Sequence, residues 1–170
     1  MPPTNSSQTL PDPPRGIRAI LWRLPIWFYR LKLGWMFGHR ALLLTHIGRV
    51  SGMPRQAMLE VVQYDEDTNT HYVASGFGEQ ADWYRNIINN PEVTIQVAGK
   101  EISVIAKRLS TQEAAEIFSE YHRRHPKALH GLGKLIGYAI PENEADMLAF
   151  FRDNVPLIAF QPRGKMQQLD

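Results

Sequence analysis

A chain of 170 residues, 44% apolar and 21% charged, is long enough for one domain with a real core and a helical elaboration. It has no cysteine, which excludes thiol catalysis, disulfides and thiolate metal sites. The net charge of +2 conceals a basic first third: residues 1–59 hold eight Lys/Arg and one acid, residues 60–170 eleven and sixteen. Such a segment attracts phosphate, carboxylate, nucleic acid or an anionic membrane surface.

Residues 1–14 (MPPTNSSQTLPDPP) form a polar, Pro-rich stretch expected to be a disordered tail, leaving residues 15–170 as a single domain. Gly16–Phe37 reads as helix with a kink or restart at Pro25. It interleaves Trp22, Trp27 and Trp35 with Arg18, Arg23, Arg30 and Lys32. That pattern suits a helix packed on the body of the protein with its Arg heads in water, and shallow membrane contact through Trp22–Trp35 is a second use of it. No apolar run approaches the ~20 residues of a membrane span, and Met1–Asp12 lacks the layout of a signal peptide. The expected location is the cytoplasm, with peripheral association at the inner membrane face as an addition.

Leu42–Thr45 is a short apolar run typical of a buried strand. Gly48 and Gly52 then bracket Arg49-Val50-Ser51, and Pro54 delays the return to paired backbone. Pairing resumes with Gln56, Met58 and Glu60 on one face and Ala57, Leu59 and Val61 on the other. The turn presents two guanidinium groups, Arg49 and Arg55, a hydroxyl on Ser51, and free backbone N–H groups. This is the equipment of a phosphate site, although a hairpin with solvated arginines would read the same way.

Asp65–Thr70 is a polar turn joining Val61–Tyr64 to His71–Ala74 in a second hairpin. Ser75-Gly76-Phe77-Gly78 follows with the backbone freedom for close approach of a flat ligand or for a special turn. Asp82–Ile88 is a short helix with Trp83 and Ile87 on one face. Val93–Val97 and Ile102–Ala106 form a third hairpin around Ala98-Gly99-Lys100, and Ser110–Glu113 is a capping box opening a helix through Tyr121. His122, His125 and His130 follow, but Arg123 and Arg124 would repel a cation, so no metal is expected. Leu129–Tyr138 and Glu142–Phe151 read as helices and Val155–Phe160 as a last strand. The predicted class is mainly β with α insertions (α+β): a small barrel of about six mostly antiparallel strands.

Known catalytic arrangements find little support. There is no G-x-S-x-G elbow and no G-x-G-x-x-G fingerprint, Ser51 has no evident His/Asp partners, and Asp65, Glu66 and Asp67 read as a solvated turn. A phosphate-holding turn, a Gly-rich loop and an aromatic helix could instead bind a cofactor that brings its own chemistry.

Four motifs in order carry a family resemblance: Gly48–Arg55 (GRVSGMPR), Ala74–Gly78 (ASGFG), Trp83–Ile87 (WYRNI) and Asn90–Val93 (NPEV). Together they resemble the deazaflavin (F420)-dependent nitroreductase family, within the flavin/deazaflavin oxidoreductase superfamily, over Ala41 to about Phe160. The resemblance implies a split β-barrel of the FMN-binding, flavin-reductase type, coenzyme F420, and hydride transfer to quinones, nitroaromatics or other electron-poor organics. It implies that Arg49, Val50, Ser51, Gly52 and Arg55 form the turn that holds the phosphate and acidic tail. Ala74, Ser75 and Gly76 would lie along the deazaflavin ring, with Trp83 and Asn86 supporting it. Val50 stands where the family usually has Lys, and Phe77 where Gly is common; FMN is therefore the alternative cofactor. Tyr138 is the candidate proton donor or orienting hydroxyl, or else a Tyr capping a helical insert.

The expected partners are a small-molecule electron acceptor and, as an option, a second copy of the chain. Nucleic acid is not expected, because the aromatics sit on a helix rather than on a strand platform. The non-enzyme alternative is a lipid or membrane-surface binding module built on the same barrel.

Overall fold

Alternation of apolar residues closes the sheet into a barrel. The computed structural model describes residues 38–129, 131, 141 and 143–164. In chain order these give β1 (Ala41–Ile47), β2 (Pro54–Asp65), β3 (Thr70–Ala74), a 3₁₀ turn (Gly78–Gln80), α1 (Asp82–Asn89), β4 (Glu92–Val97) and β5 (Lys100–Arg108). Helices α2 (Thr111–Arg124) and α3 (Glu144–Asn154) and strand β6 (Leu157–Pro162) follow. The strands form a closed barrel in the order β1-β2-β3-β6-β5-β4, and every neighbouring pair is antiparallel. The predicted tail 1–14, the helical segment 16–37 with Trp22–Trp35, His130 and Tyr138 lie outside the described residues.

Inward-facing side chains make the first core: Leu42 and Leu44 from β1, Leu59 from β2, Val73 from β3, Val93, Ile95 and Val97 from β4, Val104 from β5, and Ile158 and Phe160 from β6. Ala81, Tyr84 and Ile87 of the α1 region join it, so that short helix packs onto the barrel. A second core lies outside the barrel, where Ala114 and Phe118 of α2 meet Met147 and Phe151 of α3, together with Leu157, Val62 and Ala74. The period-two pattern thus separates two apolar layers.

Several element boundaries differ from the sequence-based expectation, each for a local reason. Pro54 does not delay pairing; it faces Ile47 as the first residue of β2, a position that needs no ladder donor. A register shift between Val61 and Gln63 lets β2 run unbroken through both hairpins. Asn143 caps α3 by accepting from the Ala145 and Asp146 amides, which moves the start of that helix to Glu144. Val155 closes α3 through a bond to Phe151 O, so β6 starts at Leu157 rather than Val155. The Ser110–Glu113 capping box forms as read, and α2 continues past Tyr121 to Arg124. The Ala98–Gly99 hairpin has both residues at positive φ (48° and 76°), the two-residue turn whose twist matches the strands.

Candidate functional site

Antiparallel order places the carboxyl ends of β1, β3 and β5 and the amino ends of β2, β4 and β6 at one end of the barrel. The β1–β2 turn, the Ser75–Gly78 loop and α1 all connect strands at that end. All four sequence motifs are therefore brought to one rim, Asn90–Val93 as the lead into the amino end of β4.

The turn is built on its glycines. Gly48 N donates to Met53 O at 2.9 Å and Gly52 N to Gly48 O at 2.8 Å. Gly52 sits at φ +65°, in the left-handed region that favours glycine. Gly48 is buried, and a Cβ there would lie 2.6 Å from Ser51 Oγ and 3.4 Å from Met53 O. Ser51 Oγ accepts from the Met53 amide at 3.3 Å, which seats the hydroxyl over Gly48. Val50 points outward and is 91% exposed.

Helix α1 locks this turn. Asn86 is buried, and its Oδ1 accepts from both the Arg49 backbone N–H and Arg49 Nη1, each at 3.0 Å. Asp82, one helical turn earlier on the same face, takes the Arg49 guanidinium at 3.1–3.2 Å. Because Asn86 Oδ1 is committed to two donors, the amide NH₂ faces the other way and donates to His46 Nδ1 at 3.1 Å. His46 continues the inward series Leu42, Leu44, His46 and is 5% exposed. Burial, then the Arg55 charge, hold its imidazole below the ordinary value, against smaller raising effects from the Ile47 backbone and Asp82.

The expected site residues therefore divide. Arg49 has its backbone and guanidinium engaged by α1, and Asn86, expected beside the ring, is bonded to the turn. Arg55 is exposed and its guanidinium makes no ion pair with another described residue. The amides of Val50 and Ser51 make no hydrogen bond to another described residue. Two N–H groups, the Ser51 hydroxyl and one guanidinium remain, a donor set that fits the phosphate of a cofactor.

On the loop, Ser75 is fully buried and spends its polar groups internally. Its Oγ donates to Gly78 O at 2.6 Å, its N–H donates to Pro156 O at 2.9 Å, and its carbonyl accepts from Gly78 N at 2.8 Å. Gly78, at φ +61°, makes the tight turn. Ser75 thus shapes the loop, and Gly76 and Phe77 between it and Gly78 are both half-buried, Phe77 packed against the barrel core. Ala74 packs against the α2–α3 core, and Trp83 lies partly buried against the barrel core, edge-on to Tyr84 at 6.2 Å.

Sequence reasoning missed His46 and Asp82. Both carry a signal: His46 falls on the inward alternation of β1, and Asp82 and Asn86 stand i, i+4 on a helix. It also missed a ring cluster at the opposite end of the barrel. His39 stacks on Tyr64 at 4.0 Å, Tyr64 on His71 at 4.5 Å, and His39 Nδ1 lies 3.1 Å from His71 Nε2. His71 is fully buried, and its Nδ1 has no hydrogen-bond partner among the described residues; burial, then His39, push it down to about 4. Of the remaining histidines, His122 Nε2 lies 3.6 Å from Glu144 Oε1 and His125 tilts against Tyr121. Among the described residues no three His, Asp or Glu side chains converge on a metal-sized site.

Solved structures are similar to the chain at low identity. An F420-H2 dependent reductase (FDR-A) is 17% identical with a TM-score of 0.49, covering 72% of this chain and 94% of its own. The Agrobacterium tumefaciens protein Atu2129, of unknown function, is 17% identical with a TM-score of 0.52, covering 84% and 56% respectively. A structure described as a domain-swapped dimer is 16% identical with a TM-score of 0.51, covering 84% and 99%. No curated protein sequence matches the chain. The family model for F420H(2)-dependent quinone reductases matches residues 22–130, well over half of the chain and three of the rim's structural parts: the turn, the Ser75 loop and α1. The chain belongs to the F420H2-dependent quinone reductase family.

Proposed function

We propose that this protein transfers a hydride from reduced F420 to an electron-poor organic acceptor, with quinones as the first class and nitroaromatics as the second. The observation that carries the reading is the donor set of the turn: the Val50 and Ser51 amides, the Ser51 hydroxyl and Arg55 stand together on the rim that also holds the Gly76 loop. Bound reduced F420 would supply the hydride. The protein's own work is then to hold and orient. The turn grips the phosphate, the loop leaves room for a ring edge at Gly76, and Trp83 supports the ring. Holding donor and acceptor ~3–3.5 Å apart can remove several kcal/mol of barrier, so positioning without a protein acid is a sufficient mechanism. Tyr138 is retained as the proposed proton donor or orienting hydroxyl, and Tyr138→Phe is expected to lower turnover while leaving F420 affinity in place.

The test is oxidation of reduced F420 by menadione and by a nitroaromatic, followed by the return of the oxidised deazaflavin's visible absorbance with and without protein. Protein-dependent oxidation is expected, and Gly76→Val is expected to abolish it. A protein that binds F420 yet oxidises it no faster than buffer across several acceptors would instead be a carrier. One observation favours FMN as a second reading: with Arg49 held by Asp82 and Val50 uncharged, the turn offers few cations to a tail longer than one phosphate. Titrating F420 and FMN side by side separates the two. A homodimer belongs to the same reading, supported by the structural neighbour described as a domain-swapped dimer, and sedimentation velocity reads it directly.

A further inference from the structure

We propose that His46 and Asn86 are positioning residues for the anion-binding turn: the unprotonated Nδ1 of His46 fixes the side-chain amide of Asn86, whose oxygen holds the turn backbone at Arg49 and leaves the Val50 and Ser51 amides facing the phosphate. This rests on the cofactor reading above and deepens it. Neither residue touches the ligand in this account; both act through the turn.

The argument is one of donors and acceptors. Asn86 Oδ1 receives two N–H donors from Arg49, at 3.0 Å each, and Nδ2 must therefore meet an acceptor on its other side. His46 Nδ1, at 3.1 Å, is that acceptor, and it can serve only while it carries no proton. The His46–Asn86 link is buried and the two Arg49 links are part-buried, so a donor-against-donor mismatch between His46 and Asn86 is costly. Protonating Nδ1 would set donor against donor. The amide would then have to turn its oxygen to His46 and its NH₂ to the two donors of Arg49, and the latch would open. The surroundings favour the neutral ring. The charged groups facing His46 are Arg55, its cross-strand partner on β2, and Asp82 on α1, with Arg49 of the turn one hydrogen bond further; β4 brings apolar Val93 and Ile95 into the same interior. Burial and the Arg55 charge outweigh the attraction of Asp82. The Asp82–Arg49 pair is 81% exposed on the carboxylate side, so water and salt screen it strongly and it does not replace the Asn86 link to the backbone.

The experiment compares wild type, His46→Phe, which removes the acceptor, and His46→Gln, which restores one through its side-chain oxygen. F420 and FMN binding are titrated from pH 5 to pH 8, with circular dichroism to establish folding and imidazole ¹⁵N spectra to read the His46 tautomer. We expect wild-type His46 to show an unprotonated Nδ1, His46→Phe to bind both cofactors at least tenfold more weakly, and His46→Gln to recover affinity to within about threefold. Wild-type affinity should fall as pH drops into the titration range of His46, whereas His46→Gln should lack that component. A merely structural role would not make the loss proton-dependent or let glutamine abolish the dependence. Should His46→Phe fail to fold, the tautomer and the pH profile of His46→Gln still decide. An Nδ1-protonated tautomer in the wild type, equal binding by His46→Phe, or an identical pH profile in His46→Gln overturns the inference while leaving the cofactor site in place. Failure of the wild type to bind either cofactor overturns the cofactor reading itself.

Discussion

Arg55 is the cation that the turn leaves uncommitted among the described residues, and its charge acts against that of Asp82, which is turned toward Arg49. A charge-assisted hydrogen bond is worth about 1.5–3 kcal/mol. Arg55→Ala should accordingly weaken F420 binding at least tenfold. Val50→Lys adds a cation at an exposed position, and Asp82→Asn removes an anion and releases a guanidinium, so both should tighten it. Fluorescence titration of the four proteins checks this, and equal affinities in folded proteins would remove the turn as the anion site. His71 makes a different prediction. Its folded pKa of about 4 lies below the ordinary value of 6.5. Between those values the unfolded chain binds the proton and the folded chain does not, so stability is full above pH 6.5 and declines as pH falls toward 4. One proton gives a slope of roughly 1.4 kcal/mol per pH unit inside that window. His46 adds to it in the same direction. Urea unfolding at a series of pH values should show the slope, and His71→Leu should flatten it; an unchanged slope would assign the acid sensitivity to other groups.

At the scale of elements, the β1–β2 turn and α1 form one unit, joined by Asn86 and sealed by the contact of Ser51 with Gly48. Gly48→Ala places a Cβ 2.6 Å from Ser51 Oγ, closer than real Cβ contacts come. Ser51 is exposed and can rotate away. Moving the hydroxyl off its seat breaks its bond from the Met53 amide and removes one phosphate donor. We expect a modest stability loss, on the order of 1 kcal/mol, with a much larger relative loss of cofactor affinity. Thermal unfolding and titration read the two separately. A variant that loses stability and affinity in proportion would show that the turn was simply disordered. α2 and α3 are a second unit, each opened by a side-chain cap, at Ser110 and Asn143, and packed through Phe118 and Phe151 at 5.6 Å. They pack on the sheet through Val62 of β2, Ala74 of β3 and Leu157 of β6, which places the helical layer beside the Ser75 loop.

For the molecule as a whole, the closed barrel leaves no open sheet edge and gathers the turn, loop and α1 at one rim. No helix among the described residues is long and apolar enough to cross a membrane. The basic first third and its Trp22–Trp35 segment nevertheless raise the prospect of surface association. If that segment anchors the protein to an anionic surface, the full chain should sediment with anionic vesicles at low salt and release as salt rises. If it only packs on the barrel, removing residues 1–37 should cost solubility by exposing apolar surface, with no vesicle binding in the full chain at any salt.

What the sequence determined by itself is whatever depends on local pattern. Period-two alternation identified the six strands, Ser110 and Glu113 announced the start of α2, and Gly48, Gly52 and Gly78 marked the tight turns. The four linked motifs pointed to the family, because their order and spacing are carried in the chain itself. The tertiary structure decided which of the site's polar groups are free. Arg49 and Arg55 look alike in sequence, yet closing the barrel brings Asn86 and Asp82 across 37 and 33 residues onto Arg49 and leaves Arg55 outside. Ser75 carries a hydroxyl whose partner the sequence does not announce, and the fold commits it to the Gly78 carbonyl. His46 and His71 became buried neutral rings only when the sheet curved enough to give its alternating face an interior. Hydrogen-bond partners chosen across the barrel obey geometry rather than spacing, and so they could not be read from the order of residues alone.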